Sequence, residues 1–348
     1  AGEVAIQQWF HADRNKSIVD SLRSDAEHGN ARYAQDFLAF DGNAQTVRLI
    51  TKLQVLADEF GLNLTCGTLA AATKYIATSD NISDAPHQMS KLGVFASEAD
   101  LIQEVRAEVG LEGYARHPVT FVVEACDDIV YSSVDLEDGI KKGVISWDQL
   151  VDELTAEVGD SSPILTAVKN RVSRQLGCHK PVDHIDQDAF AQAFRIQSIG
   201  RVVPAVRAVF GRRFNEIDMG TYGGELLADD ECEAKAYVEA CKKIARKSVY
   251  ACKDVLRLEL MGRKIIHDLM DVFWEGARIG SVKAKAKDYP GKSYRLISSN
   301  YRHVFEQQLA ESKGAEAETY HRLQLVVDYV AGMTDTFARE LHRRLSNG

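Results

Sequence analysis

Apolar residues recur three and four positions apart through almost the whole chain, and that spacing leaves little room for any fold but a helical one. Val47, Ile50, Leu53 and Leu56 form one such stripe, and Leu323, Val326, Val327 and Val330 form another. Strand signals are scarce; only short stretches such as Arg201-Val202-Val203 read as extended. Six prolines are spread over 348 residues, and no internal repeat or low-complexity tract is visible. The pattern therefore predicts an all-α chain, one mainly helical domain over residues 1–348. Loops are expected where Gly, Pro, Asp and Ser cluster: Thr78 to Pro86, Gly159 to Pro163, Gly211 to Gly224, Gly280 to Gly291 and Ser312 to Glu316. Ser146 precedes Gln149 at capping-box spacing and predicts a helix start.

Several function classes lose support from composition. No run of about 18 apolar residues is present, and no basic segment precedes an apolar stretch at the start, so neither a membrane span nor a secretion signal is expected. A cytoplasmic location follows by default. The six cysteines form no CxxC pair and lie far apart, which fits buried thiols better than a disulfide or zinc framework. A net charge of -9 argues against a nonspecific grip on nucleic acid. A polyanion would need a locally basic site. Lys283, Lys285 and Lys287, followed by Lys292 and Arg295, are one candidate, with a solvated basic loop as the plainer alternative.

The passage HPVTFVVEACDDIVYSSVDLEDGIKKG, residues 117–143, sets acidic groups into an otherwise apolar helical pattern. Steps of four residues advance about 400° around a helix, so Asp127, Tyr131 and Asp135 share one face and present carboxylate, phenol and carboxylate in a row. The neighbours Phe121, Val122, Val123, Ala125 and Cys126 suggest that Asp127 is buried, and a buried carboxylate needs a cation or hydrogen-bond donors. Spacing alone leaves a second reading open, in which these acids form a solvated face or pair with Lys141 and Lys142.

The words EACDDIVYSSVDLEDG, FDGNAQTVRL, LAAATKY, SKLGVFASE and VVDYVAGMTD resemble those of the bacterial dGTPase-type deoxynucleoside triphosphate triphosphohydrolases of the HD superfamily, in family order over nearly the whole chain. The fold implied is the HD-domain helical bundle with helical extensions. The activity implied is metal-dependent hydrolysis of dGTP, or of dNTPs generally, to the deoxynucleoside and inorganic triphosphate. The divalent metal, manganese, magnesium or another, would be held by two histidines and two aspartates. Asp127 matches the last of these ligands. Tyr131 matches the aromatic that packs on the deoxyribose, and Asp135 the acceptor for the sugar 3′-hydroxyl. Asn43, Lys74, Tyr75 and Lys91 fall where the family contacts triphosphate and sugar, and Lys74 and Lys91 are suitable donors to phosphate oxygens. Arg322 is a further candidate contact to the triphosphate.

AGEVAI resembles the stretch that follows the family's HD signature, and Glu3 matches the family's catalytic glutamate. The histidine it would orient, and the three other metal ligands, are expected upstream of Ala1. In the implied mechanism the metal polarises the α-phosphate, and the histidine paired with Glu3 handles the proton. The implied partners are the dNTP substrate, further copies of the chain, and a nucleotide or single-stranded DNA effector. Two alternatives stand beside this reading: another HD-type nucleotide phosphohydrolase, and a regulator that binds nucleotide or single-stranded DNA without turnover.

Other histidines are decoys. His267-Asp268 is a literal HD pair, but it follows Asp127 and sits among Ile265, Ile266, Leu269 and Met270, which marks a packing or surface histidine. His179 and His184, near Asp186 and Asp188, lack helical alignment and read as a polar connection. His117 is expected to cap the key helix. Asp328, Tyr329, Gly332, Met333, Thr334 and Asp335 read as structural, with Gly332 permitting close helix packing.

Overall fold

The computed structural model describes residues 2–23, 32–54, 60–177, 184–279 and 288–347, without the side chains of 184, 185 and 347. Leu56, Cys178, His179, Lys283, Lys285 and Lys287, and the side chain of His184, lie outside the described residues. Among those described, the chain forms α-helices joined by short 3-10 and π turns, and the one pairing of extended backbone is an isolated bridge between Ala77 and Leu92. The all-α expectation holds. The helices gather into two compact units, residues 1–110 with 259–348, and residues 111–258. Helical periodicity alone does not say which helices share a core.

The first unit contains α1 (Gly2–His11), α2 (Lys16–Ser21), α3 (Arg32–Leu38), α4 (Gly42–Arg48), α5 (Cys66–Ala72) and α6 (Ala99–Glu108). Its core begins on aromatic rings. Trp9 meets Phe10 edge-on at 4.9 Å, Phe10 stacks on Phe37 at 4.8 Å, and Phe37 tilts against Tyr320 at 5.3 Å. The predicted stripe Leu323, Val326, Val327 and Val330 is buried in this core. Gly332 is required as expected: a β-carbon there would lie 2.2 Å from the Tyr301 hydroxyl oxygen. His267 is buried rather than at the surface, and its Nε2 lies 2.9 Å from the Ala5 carbonyl oxygen, which makes it a packing residue of the core.

Two ionic devices tie this unit together. The Arg48 guanidinium, fully buried, donates to Asp328 at 2.7 and 2.9 Å, to Glu98 at 2.7 Å and to the Gln308 side-chain oxygen at 3.0 Å. Asp36 is buried too, and accepts hydrogen bonds from the Ser79 hydroxyl (2.6 Å), the Tyr320 hydroxyl (2.7 Å) and the Ala96 amide (2.7 Å). Burial nevertheless outweighs these donors and pushes its carboxyl up to about 6. A carboxyl raised on folding stabilises the native state at low pH, and that contribution is lost as pH rises through about 6. Asp36→Asn is therefore expected to flatten the stability profile between about pH 4 and pH 7 by on the order of 2–3 kcal/mol. Urea unfolding at several pH values checks this; parallel profiles for the two proteins would refute it.

The second unit is built from α7 (Pro118–Lys141), α8 (Trp147–Val158), α9 (Pro163–Leu176), α10 (His184–Asp218) and α11 (Lys235–Ile244). The His117 Nδ1 accepts from the Val119 amide at 3.2 Å, so it caps α7 as expected. Ser146 and Gln149 form the predicted capping box of α8. Phe121, Ala125, Ile129, Leu136 and Ile140 turn one face of α7 into a core completed by Leu150, Val168, Phe194 and Val209.

Three expectations fail here. Arg201-Val202-Val203 is helical, because Val202, Val206 and Val209 bury at helical spacing and tertiary packing overrides β-propensity. The loop expected from Gly211 starts only after Asp218, since α10 continues to bury Ile217. Nor are the thiols uniformly buried: Cys232 and Cys241 are, whereas Cys126 is exposed, and no described cysteine is in a disulfide.

After α12 (Lys253–Ala277), the first unit is completed by α13 (Tyr289–Leu296), α14 (Ser299–Glu311), α15 (Ala315–Ala331) and α16 (Asp335–Asn347).

Candidate active site

The residues singled out in the sequence fall into one group in each unit, with Arg322 apart from both. In the first unit, Asp41 caps α4 by accepting from the Asn43 backbone amide (2.8 Å), and it also accepts from the Asn43 side-chain amide (2.6 Å). The next amide, that of Gly42, donates to Glu3 at 3.3 Å. The Glu3 carboxyl is raised by partial desolvation and by the neighbouring charge of Asp41, an effect that Lys91 opposes. Glu3, Asn43 and Lys91 thus belong to one neighbourhood.

Lys74, Tyr75 and Lys91 join it from two backbone segments that run side by side. The Ala77 carbonyl accepts from the Gly93 amide at 2.9 Å and from the Val94 amide at 3.2 Å. Gly93 is obligatory at this crossing: a β-carbon would sit 1.8 Å from the Tyr75 carbonyl oxygen. The close approach puts the Lys91 ammonium 5.6 Å from the centre of the Tyr75 ring, with the Lys74 ammonium at 5.7 Å. Tyr75 is buried, so the ring is a fixed platform between two cations. Such a group can hold a multiply charged phosphate chain.

In the second unit, α7 presents Asp127, Tyr131 and Asp135 along the face opposite its core. Asp127 is exposed, not buried as its apolar neighbours suggested. Of those neighbours Phe121 and Ala125 are buried, whereas Val122, Val123 and Cys126 are exposed, and with Val119 and Val130 the two valines leave apolar surface beside the carboxylate. Tyr131 is 60% exposed, so its ring is available to a ligand. The nearby acids are largely taken up by salt bridges: Asp128 pairs with Lys242 at 2.9 Å and Glu137 with Lys141 at 2.7 Å.

One residue of this group escaped the sequence reading. The Tyr250 hydroxyl donates to Asp135. Burial and that carboxylate push the Tyr250 hydroxyl up to about 12, so it remains a proton donor at neutral pH. Tyr250 follows a π turn, Ala245–Val249, which packs against α7 where Gly139 leaves space; a β-carbon on Gly139 would meet a Val249 methyl at 2.6 Å. The available signal was the four-residue spacing of Arg246 and Tyr250, a cation and a phenol together on a helical face.

Arg322 donates to the Ala277 carbonyl at 2.8 Å and lies over the Phe305 ring at 5.8 Å, so the structure engages it at the end of α12. Asp127 offers at most two oxygens, whereas a divalent cation takes four or more ligands. Asp127 therefore cannot hold such an ion by itself.

Residues 231–344 match the phosphohydrolase-associated domain family. A deoxyguanosinetriphosphate triphosphohydrolase-like protein of Listeria monocytogenes is 31% identical over 354 aligned residues, covering 99% of this chain and 73% of the relative. The deoxyguanosinetriphosphate triphosphohydrolases of Yersinia pseudotuberculosis and Yersinia enterocolitica are 29% and 26% identical, each over 99% of this chain and 74% of the relative. The chain belongs to the dGTPase-type family of HD phosphohydrolases.

Proposed function

We propose that this protein hydrolyses deoxynucleoside triphosphates to the deoxynucleoside and inorganic triphosphate. The observation that carries the reading is the row on α7, where an exposed carboxylate, an open phenol ring and a half-buried second carboxylate follow one another at four-residue steps. The names of the relatives support the same substrate class.

Each side chain has a role that its chemistry suits. Lys74 and Lys91 neutralise phosphate oxygens, and Asn43 adds polar contact. Tyr131 packs against the sugar ring, and Asp135 accepts its 3′-hydroxyl while Tyr250 holds the carboxylate in place. Glu3, its carboxyl raised by burial and the charge of Asp41, pairs with and orients the histidine that handles the proton. Asp127 would supply one ligand to a divalent metal, whose chemistry when bound is to polarise the phosphate. Positioning and charge stabilisation then supply most of the acceleration.

Product analysis by ion chromatography tests the proposal. Incubation of the natural protein with dGTP and a divalent metal is expected to release inorganic triphosphate in a 1:1 ratio to deoxyguanosine. Orthophosphate or a nucleoside monophosphate would assign a different HD-type reaction, and nucleotide binding without turnover would assign a regulator.

A further inference from the structure

We propose that the first unit carries a second anion site, in a cleft lined by α3, α14 and α15, which takes a small phosphate-bearing molecule. The cleft encloses about 400 Å³ and shares no lining residue with the Lys74, Tyr75 and Lys91 group. Its rim carries two ammonium groups, Lys52 and Lys313, against one carboxylate, Glu311. Neither lysine is paired with a carboxylate among the described residues, so the rim keeps a net positive charge.

The inner wall is polar. Gln308 gives its oxygen to Arg48 at 3.0 Å, which leaves its amide hydrogens to donate to a ligand. His321 lines the cleft, and its buried Nδ1 side is turned to the Gln324 side chain one turn further along α15. Gln324 is 1% exposed, and its amide nitrogen is already committed to Ser97 Oγ, a lining atom, at 2.7 Å. Burial and the Arg48 charge push the His321 imidazole down to about 4, so it is neutral at physiological pH. It offers a polar ring edge rather than a third positive charge.

These features divide a ligand into two ends. A phosphate fits the rim beside unneutralised ammonium groups, and a polar remainder bearing a hydroxyl fits the Gln308 amide and the His321 ring on the inner wall. Tyr33, stacked on Tyr320 at 4.2 Å, closes one side as a rigid wall. The charge of Arg48 is already matched by Asp328 and Glu98, so binding rests on Lys52 and Lys313.

Isothermal titration at low salt of the natural protein carrying Lys74→Ala and Lys91→Ala, with ribose 5-phosphate and inorganic pyrophosphate as probes, isolates this cleft. One saturable site is expected to remain. Adding Lys52→Ala and Lys313→Ala should weaken it at least about tenfold, and Glu311→Gln should tighten it several-fold, as charge at a partly screened rim requires. Tighter binding of ribose 5-phosphate, lost in His321→Phe, would identify an organic phosphate; tighter pyrophosphate, unaffected by His321→Phe, would identify an inorganic one. Either result supports the site. Absence of any binding in the Lys74→Ala and Lys91→Ala protein, or affinity indifferent to Lys52 and Lys313, would overturn it. Unchanged thermal unfolding of the lysine variants shows that they fold.

Discussion

Replacing Arg48 with methionine is expected to destabilise the protein by about 3–5 kcal/mol, because removing one partner strands the charges that it neutralised. Glu98 and Asp328 have no other route to water, each being almost wholly buried. Burial already raises the Glu98 carboxyl against the pull of Arg48, which shows how far its charge depends on that guanidinium. Methionine approximates the volume and supplies none of the donors. The triple variant Arg48→Met, Glu98→Gln, Asp328→Asn should recover a large part of the loss, since neutral partners relieve the stranded charge. Denaturant unfolding of the single and triple variants decides the matter, and a single variant with an unshifted midpoint would show that the network contributes nothing to stability.

Asp135→Ala is expected to lower kcat/KM for a deoxynucleoside triphosphate by roughly 10- to 100-fold, the range set by a hydrogen bond to a charged acceptor of about 1.5–3 kcal/mol. The loss should be selective. Where the natural protein favours a 2′-deoxynucleotide over its 2′,3′-dideoxy counterpart, the variant should treat the two alike, because the group that senses the 3′-hydroxyl is gone. Tyr250→Phe should produce a smaller loss with the preference retained, since the carboxylate remains but is less firmly held. Kinetics with dGTP and dideoxy-GTP distinguish these outcomes, and an Asp135→Ala protein with unaltered preference would remove the sugar-site assignment.

Much of the fold was legible because helix-forming stripes are local. Leu323, Val326, Val327 and Val330 announce a buried face without reference to any other segment, and α7 could be placed from residues 117–143 alone. The partners of Arg48 lie 50 and 280 residues away, and nothing in FDGNAQTVRL marks its charge as buried rather than solvated. Asp127 was misread for a related reason: apolar neighbours at helical spacing signal a covered face, yet Val122, Val123 and Val130 are exposed beside it. Of the site, the residue types and the four-residue rhythm of α7 could be read directly. The convergence of Lys74 and Lys91 on Tyr75 depends on Gly93, whose demand for space belongs to a neighbouring segment. Tyr250 was hidden because a π turn has no compositional signature and its partner Asp135 stands 115 positions earlier.

The bond from Tyr250 to Asp135 is made by the chain itself, so this carboxylate gives up rotamer freedom when the chain folds. A hydroxyl that seeks an acceptor there meets one already aimed, with its entropic cost prepaid. The glycine that admits Val249 lies on α7 one helical turn beyond the carboxylate and touches nothing that reacts. Any bulk at Gly139 would lift the π turn and carry the phenol with it, and Asp135 would then have to be reoriented at every encounter.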